Sequence, residues 1–459
     1  MKTWFKKGEH WVWFSASAVS IAVVLVFGLL LMISARGLNH FWPHTVYNFE
    51  VNTPQGQVEL VTGEIHNDRI KEVFDPQNPT VKIKEPQILI KTGNRDVYSL
   101  DFRWVGEKDI VEGSVVPSEG VSVIERHEWG NMYGHVVEIR QGGQVVAQGE
   151  GVEKDLSKRI AKSESLRSKI HHIEKVDVGA INYQLQNLRY EERKLELAGE
   201  LTQQELQRME QERQALQAEY DTIKAGLDEM YAELNQQGEV LVRIAGGKEV
   251  VIALKNMVRT WQPNEMNLIE KTGFFFGSIG NFLLDNPREA NTEGGVFPAI
   301  VGTLTMVILM TVFVMPMGVI AAIYMREYAT EGTLLRLIRI SINNLAGVPS
   351  IVFGIFGLGF FVYVLGVSID EMFFSYALPT PTFGTPGLLW AALTMALLTL
   401  PVVIVSTEEG LSRIPRALRE GGLALGATKY EVIMRIVLPM TTPAIMTGLI
   451  LAIARAAGE

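Results

Sequence analysis

Residues 408–439 read EEGLSRIPRALREGGLALGATKYEVIMRIVLP, a charged stretch between two apolar segments that are each long enough to enter a bilayer. Its basic residues are Arg413, Arg416, Arg419, Lys429 and Arg435. Loops rich in Lys and Arg stay on the cytoplasmic side of a membrane, so we expect this loop to lie inside.

The loop is expected to fold as two short helices joined at a glycine. The first is predicted over residues 416–425, with Pro415 near its first turn. Gly426 is expected to end it, because glycine adopts the left-handed cap conformation without steric cost. The second begins near Thr428 with apolar residues at helical spacing, and Pro439 is expected to break it. Two short helices around a glycine suit docking into a groove of a soluble partner.

The spacing of residues in this loop resembles a known motif. Glu420-Gly421-Gly422, three residues, Gly426, nine residues and Ile436-Val437-Leu438-Pro439 are similar to the EAA loop of permeases in binding-protein-dependent ABC importers. In that family the loop couples the permease to the ATPase, which implies this role for Glu420, Gly421, Gly422, Gly426, Ile436, Leu438 and Pro439. Gly421-Gly422 replaces the usual Ala-Ala, which is expected to loosen the helix. An ordinary charged cytoplasmic loop is the alternative.

Composition places the chain among membrane proteins that carry a large polar region. It has 459 residues, of which 47% are hydrophobic. The net charge of −9 argues against a nucleic-acid partner. Without cysteine, the chain has no disulfides and no Cys-ligated metal site. No catalytic residue, metal or cofactor is predicted.

The N-terminal part is predicted to anchor the chain in the membrane. Residues 1–10 are expected to be cytoplasmic, and residues 11–34 are expected to form a transmembrane helix. A cleaved signal peptide is the alternative, but the apolar run is longer than the core of a usual signal. Residues 35–293 contain no segment able to span a membrane, so we expect them to be extracytoplasmic.

Residues 35–151 are predicted to form a β-rich domain. Its candidate strands are 81–84, 88–90, 121–124 and 136–139, and Gly142-Gly143 is expected to form a hairpin turn. For the cluster His127, Trp129, Tyr133 and His135, the surface of a hairpin is favoured over a binding site. Residues 238–290 are expected to return to this domain as a strand hairpin around Gly246-Gly247, followed by an amphipathic segment at the outer membrane boundary.

Residues 152–237 are predicted to form a coiled coil. Apolar residues recur there at alternating three- and four-residue steps, a pattern typical of a coiled-coil seam: Leu206, Met209, Leu216, Tyr220, Ile223, Leu227, Met230 and Leu234. We favour an antiparallel hairpin that turns near residues 197–202, with Thr202 and Glu205 as a capping box. One continuous helix is the alternative, because the seam keeps its phase across Gly199.

Residues 291–459 are predicted to form a transmembrane core. Further spans are expected at 296–325, from Asn344-Leu345 onward, at 387–405 and from 442 onward. Gly354, Gly357 and Gly359 are expected to permit close helix contact. Arg455 lies in the last span. It either faces a polar path for substrate or extends its charge to the membrane edge, and the sequence leaves both possibilities open.

Four further runs resemble the PstA-type permease family of phosphate-specific ABC importers. They are Asn291-Thr292-Glu293-Gly294-Gly295, Tyr324-Met325-Arg326-Glu327-Tyr328, Ala346-Gly347-Val348-Pro349-Ser350-Ile351-Val352 and Ala454-Arg455-Ala456-Ala457-Gly458-Glu459. The resemblance covers 291–459 and implies a type I ABC importer permease core with six spans. The chain stops within the fifth, so we expect it to be truncated.

The resemblance also implies the function and the partners. It implies a permease subunit that moves inorganic phosphate across the bacterial inner membrane, with Arg455 as the candidate substrate-path residue. The implied partners are an ATPase dimer, a second homologous permease subunit, a periplasmic phosphate-binding protein and membrane lipid. The chain carries no nucleotide site, so it is not expected to be an enzyme. An importer permease for another oxyanion and a membrane-anchored extracytoplasmic scaffold or sensor are the alternatives.

Overall fold

The computed structural model describes residues 9–75, 78–149 and 151–459. Residues 1–8, 76–77 and 150 lie outside this description, and with them most of the predicted cytoplasmic N-terminus. The chain divides into two compact units, one formed by residues 1–181 and 217–297 and the other by residues 182–216 and 298–459.

The first unit begins with a long apolar helix. Helix α1, Glu9–Asn39, carries bulky apolar side chains over its whole surface, and those from Trp11 to Ile33 are largely exposed within the chain. A helix that is apolar on every side and largely exposed within the chain matches a membrane span. Its apolar part, Trp11–Asn39, extends five residues beyond the predicted end at residue 34.

Two antiparallel sheets follow α1 in this unit. The first has the strand order β4-β3-β2-β1-β5. Its strands are β1 Val46–Asn52, β2 Val58–Asp75, β3 Asn78–Lys91, β4 Phe102–Gly106 and β5 Val116–Pro117, with the short helix α2, Arg95–Tyr98, between β3 and β4. Phe49, Val61 and Ile90 are buried in its core.

The second sheet has the order β10-β9-β7-β6-β11, and β8 pairs with β7. Its strands are β6 Ser122–Arg126, β7 Asn131–Gln141, β8 Gln144–Gln148, β9 Glu239–Arg243, β10 Glu249–Ala253 and β11 Met257–Trp261. The chain leaves this sheet after β8 and re-enters it at β9, which pairs with β7. Val152, Leu156 and Ile160, which follow β8, are buried in the core of this sheet with Val240.

The intervening residues are helical. Helix α3, Val152–His172, continues through one wide turn into α4, Val178–Ala198, and α5 is Gln203–Asn235. Gly199 has φ 70°, and Thr202 Oγ1 accepts from the Glu205 backbone N–H at 3.2 Å at the start of α5. Ion pairs join α3 to α5 at Lys162–Glu233 (2.8 Å) and α4 to α5 at Arg213–Glu192 (2.8 Å), an antiparallel arrangement.

Helix α6, Leu268–Leu284, completes the first unit. Asn267 and Glu270 form a capping box at its N-terminus. Phe275 and Phe282 lie 5.9 Å and 5.2 Å, between ring centroids, from Trp42 and Phe41 at the end of α1. A strand pair, β12 Pro287–Arg288 and β13 Glu293–Gly294, follows.

The second unit contains the remaining apolar helices. Among the described residues, five helices are long and apolar enough to cross a membrane, which we number spans 1 to 5: Trp11–Asn39, Phe297–Tyr328, Ser350–Phe373, Leu388–Arg413 and Lys429–Ala456. The α-helical parts are α7 Phe297–Ile323, α8 Thr333–Leu345, α9 Ser350–Phe356, α10 Val367–Phe373, α11 Leu388–Arg413, α12 Arg416–Ala424, α13 Lys429–Val432 and α14 Leu438–Ala456.

Two sequence predictions about these helices are wrong. Span 3 begins at Ser350 and not near Asn344, which lies in the last turn of α8. Proline disfavours helical conformation in the residue before it, so the new helix starts only after Pro349. Pro439 does not break span 5, because the wide turn Ile433–Val437 precedes it and the backbone stays helical. Proline lacks an N–H group, and the wide turn removes the need for one there.

Small residues bring the spans into close contact. Gly410 of span 4 packs against Ala444 of span 5, and Gly448 of span 5 packs against Ser406. A Cβ at Gly357 in span 3 would lie 2.1 Å from Thr394 Oγ1, whereas Gly354 and Gly359 face open space. In lipid, such close approach supplies the van der Waals packing between helices.

Candidate functional site

In the loop between spans 4 and 5, hydrogen bonds end one helix at Gly426 and begin the next just after it. Helix α12 ends with the Gly426 N–H donating to the Leu423 carbonyl (3.0 Å) and the Ala427 N–H donating to the Gly422 carbonyl (3.2 Å). These two bonds form a Schellman motif, which requires the φ of 88° that Gly426 adopts. Thr428 and Glu431 then form a capping box at the start of span 5.

Gly422 has a packing role that the sequence prediction missed. A Cβ there would lie 2.9 Å from Val432 and 3.1 Å from Ile436, so α12 packs directly on the first turns of span 5. Gly421 faces open space. The expected loosening by two glycines therefore applies to Gly421, whereas Gly422 allows the two helices to approach.

The predicted coupling residues divide into a packed group and an exposed group. Ile436 and Leu438 are half-buried, and Pro439 is exposed on span 5. Glu420, Gly421 and Gly426 are exposed on α12 and its turn. Leu425 is 91% exposed beside them, which is unusual for a leucine. The turn of the loop thus presents the Glu420 carboxylate and the apolar Leu425 side chain together, a combination that fits a protein partner.

Arg419 fastens the loop to two spans, and sequence reasoning missed it. Its guanidinium donates to the carbonyls of Leu411 and Ile414 at the end of span 4, both at 2.8 Å. The same group lies 2.9 Å from a carboxylate oxygen of Glu327 at the end of span 2. The Leu411 carbonyl also accepts the Ile414 N–H at 3.4 Å, so Arg419 adds a charged donor at the end of span 4 and pairs with span 2.

Two further contacts lie near those of Arg419 and also join separate helices. The Lys429 ammonium donates to the Glu327 carbonyl and lies 4.6 Å from the centroid of the Tyr328 ring. Arg339 of α8 pairs with Glu408 of span 4 at 2.7 Å. Tyr328 and Glu327 belong to a run singled out by the sequence resemblance, but their link to the loop required the fold.

Arg455 lies at the middle depth of the spans. Spans 4 and 5 run antiparallel, with Gly410 against Ala444 and Gly448 against Ser406. This register places Arg455 beside the middle of span 4, which runs from Leu388 to Arg413. The Arg455 side chain is 30% exposed and lies 3.8 Å from Glu459 Oε1.

The aromatic and histidine cluster of the β-rich region does not form one site. Tyr133 is fully buried and its hydroxyl donates to Glu64 at 3.0 Å. Burial raises the pKa of Glu64, and the same cause raises the pKa of Tyr133 well above its usual value. His127 contacts Glu164, and His135 contacts the Gly120 carbonyl. In the described part of the chain, no three His, Cys, Asp or Glu side chains are arranged to hold a metal ion.

Comparison with protein families identifies the transmembrane part. Residues 314–459 match the family described as the binding-protein-dependent transport system inner membrane component. This match includes the loop, Arg419 and Arg455. It supports the importer permease fold predicted for this part of the chain.

Several relatives are phosphate permeases by name. The chain is 37% identical over 166 residues to the phosphate transport system permease protein PstA 1 of Mycobacterium tuberculosis, covering 36% of this chain and 49% of the relative. It is 35% identical over 182 residues to PstA of Yersinia pestis, covering 40% and 56%. The chain thus spans about half the length of the curated relatives it matches. The predicted resemblance to the PstA-type family is confirmed for this region.

A solved structure also matches the same share of the chain. It is described as inward facing conformations of the MetNI methionine ABC transporter, with 21% identity and a TM-score of 0.27. The match covers 36% of this chain and 68% of that chain.

Proposed function

We propose that this chain is a permease subunit of an ABC importer that moves inorganic phosphate across the bacterial inner membrane. The observation that carries the proposal is the similarity of residues 314–459 to the importer family, together with 35–37% identity to proteins named PstA. Energy for transport comes from a separate ATPase dimer, since the sequence carries no phosphate-binding loop. The chain itself needs no cofactor.

The loop at 408–439 is the element proposed to contact the ATPase. Its exposed Glu420 and Leu425 supply the docking surface, and Arg419 joins its base to spans 2 and 4. A rigid loop transmits a displacement to both spans together, whereas a flexible loop would absorb it. ATPase closure would therefore rock the spans between inward-open and outward-open states.

Arg455 is proposed to line the anion path. A charge at middle depth in a membrane is costly unless it faces a polar cavity or a partner, and a path for an oxyanion needs positive potential. Its position beside the middle of span 4 argues against an extension to the membrane edge. A second homologous permease subunit would supply the remaining wall of the path.

The large region between spans 1 and 2 is proposed to be extracytoplasmic. Its β sheets and the coiled-coil hairpin of α3, α4 and α5 carry no apolar helix able to span a membrane, and the loop at 408–439 holds the basic residues expected inside. Helix α6 is proposed to lie at the outer lipid boundary, where its exposed Leu268, Ile269 and Phe276 would contact lipid. A periplasmic phosphate-binding protein is the proposed donor of substrate.

Membrane topology tests the orientation directly. The chain has no cysteine, so single substitutions can be labelled without a background signal. In intact cells, a membrane-impermeant thiol reagent should label Gln214→Cys and should leave Glu420→Cys unlabelled until the membrane is permeabilised. Labelling of Glu420→Cys in intact cells would refute the proposed orientation.

Transport assays test the function and its substrate. The full-length protein should co-purify with an ATPase whose rate in membranes rises with phosphate. Arg455→Ala should lower phosphate uptake by roughly tenfold or more at normal abundance, and Arg455→Lys should retain part of it, because it keeps the charge but loses the planar fork. If sulfate or another oxyanion raises the ATPase rate and phosphate does not, that oxyanion would replace phosphate as the proposed substrate. Normal uptake by Arg455→Ala would exclude this residue from the path.

A further inference from the structure

The outer loop between spans 3 and 4, residues 374–387, is held in shape by a buried carboxylate. Asp370 at the end of span 3 is 1% exposed. It accepts hydrogen bonds from the backbone N–H groups of Phe383 (2.9 Å) and Gly384 (2.7 Å). Trp390 of span 4 donates its indole N–H to the Phe383 carbonyl at 2.7 Å. The loop is thereby bonded to both spans, so it must move when either span moves.

A row of aromatic rings connects the tip of this loop to the spans. Its members, from the tip inward, are Tyr376, Phe374, Phe383, Trp390 and Phe361. Successive ring centroids are 6.0, 5.2, 6.2 and 6.0 Å apart. Rings at these separations pack favourably and resist independent displacement. The tip is therefore mechanically joined to the outer ends of spans 3 and 4.

The far part of the helical hairpin contacts the tip of the loop. Residues 182–216 belong to the same compact unit as residues 298–459. The Tyr190 ring meets the Tyr376 ring edge to face, with 5.6 Å between centroids. Asn182, Leu185, Gln186 and Arg189 of α4 line a depression with Tyr190 and Thr380. These helical positions repeat every three to four residues, so they form one face of α4.

We propose that this face of α4 restrains the outer loop and so controls opening of the transport path on its outer side. While Tyr190 packs on Tyr376, the loop and the two span ends bonded to it are held together. Outward opening then requires the hairpin to release the loop. An edge-to-face pair of half-exposed tyrosines is a weak contact, so the restraint is reversible. The proposal rests on the proposed transport function, because it assigns a regulation to that path.

Cross-linking in the full-length protein tests the restraint. Gln186→Cys with Thr380→Cys places two thiols in the same depression, and the chain adds no other cysteine. Oxidation should join the two cysteines in a disulfide. The number of free thiols, measured by the gel shift with a polyethylene-glycol maleimide, should then fall from two to none. Oxidation should lower phosphate uptake by about tenfold, because it removes the released state from the population, and reductant should restore uptake.

Asn187→Cys with Thr380→Cys is the matched control. Asn187 is exposed on the same helix but is turned roughly 100° away from Gln186. This pair should keep both thiols free and keep normal uptake under oxidation. If the Gln186 pair fails to cross-link, or cross-links without loss of uptake, the restraint is refuted. Absence of phosphate uptake before oxidation would instead refute the proposed function, and the thiol count would still report the contact.

Discussion

In each of the two loops that flank span 4, a charged side chain bonds backbone groups, but the two side chains have opposite charge. On the side proposed to be outer, the Asp370 carboxylate accepts hydrogen bonds from backbone N–H groups. On the side proposed to be inner, the Arg419 guanidinium donates to backbone carbonyls. Arg419 joins its loop to spans 4 and 2. Asp370 joins its loop to span 3, and Trp390 joins the same loop to span 4. Both loops therefore have a rigid base.

The loops differ in what they present beyond that base. The outer loop is covered by its own aromatic rings and, at its tip, by Tyr190 of the hairpin. The inner loop leaves Glu420 and Leu425 exposed. The difference supports two proposals: that the outer loop is restrained within this chain, and that the inner loop docks on another protein. Four substitutions or deletions test this comparison.

The largest effect is expected at Gly426. Gly426→Pro removes the N–H that bonds Leu423 and forces φ from 88° to about −65°, which costs about 3 kcal/mol or more. Phosphate uptake should be lost while insertion into the membrane persists, and Glu420→Lys should also uncouple transport. Gly421→Ala is the matched control, since a Cβ there meets open space. Normal transport and ATPase assembly by Gly426→Pro would show that the inner loop does not couple the two proteins.

A smaller loss is expected from Arg419→Ala. The change removes one donor from each of two carbonyls and leaves the mostly buried Glu327 carboxylate without its cation, at a cost of about 2–3 kcal/mol. The thermal midpoint of the detergent-solubilised protein should fall, and co-purification with the ATPase should weaken. Arg416→Ala, a change of an exposed arginine on the same helix, should alter neither. If the two variants have the same thermal midpoint and co-purify equally with the ATPase, Arg419 does not stabilise the loop.

The outer loop should respond more locally to Asp370→Asn. The Phe383 N–H is shared between both carboxylate oxygens, and in the amide one of these becomes an NH₂ group that faces it, at a cost of about 1–2 kcal/mol. Labelling of Thr380→Cys by a thiol reagent should become faster, with a modest loss of uptake. The exposed Glu371→Gln is the control. An unchanged labelling rate would mean that Asp370 does not hold the loop.

The smallest effect on uptake is expected from shortening the hairpin. Val152, Leu156 and Ile160 belong to the core of the second sheet, so removal of all of residues 152–237 would damage that core. Replacing residues 182–216 by a short Gly/Ser linker avoids this and removes Tyr190. Uptake should stay within about twofold of normal, because the proposed restraint is lost but the path remains. Complete loss of uptake at normal abundance would place the hairpin in the transport step itself.

Local signals in the sequence predicted the inner loop closely. The helix at 416–424 and the left-handed Gly426 follow from one proline near its start and one glycine at its end. The same kind of reasoning erred at Pro439 and at Asn344. A proline within a long apolar run is accommodated by a wide turn, and only residues 346–349 separate the amphipathic α8 from span 3.

The sequence by itself determined the apolar spans, the basic character of the loop at 408–439 and the resemblance of its last third to importer permeases. These properties depend on composition and on spacing over a few residues. Only the tertiary structure decided that Arg419 pairs with Glu327, that Gly422 lies against Val432 and that Tyr190 meets Tyr376. Each of these contacts joins residues from different helices, and the partner of a charge, a small residue or a ring is chosen by how helices pack, which no local pattern records.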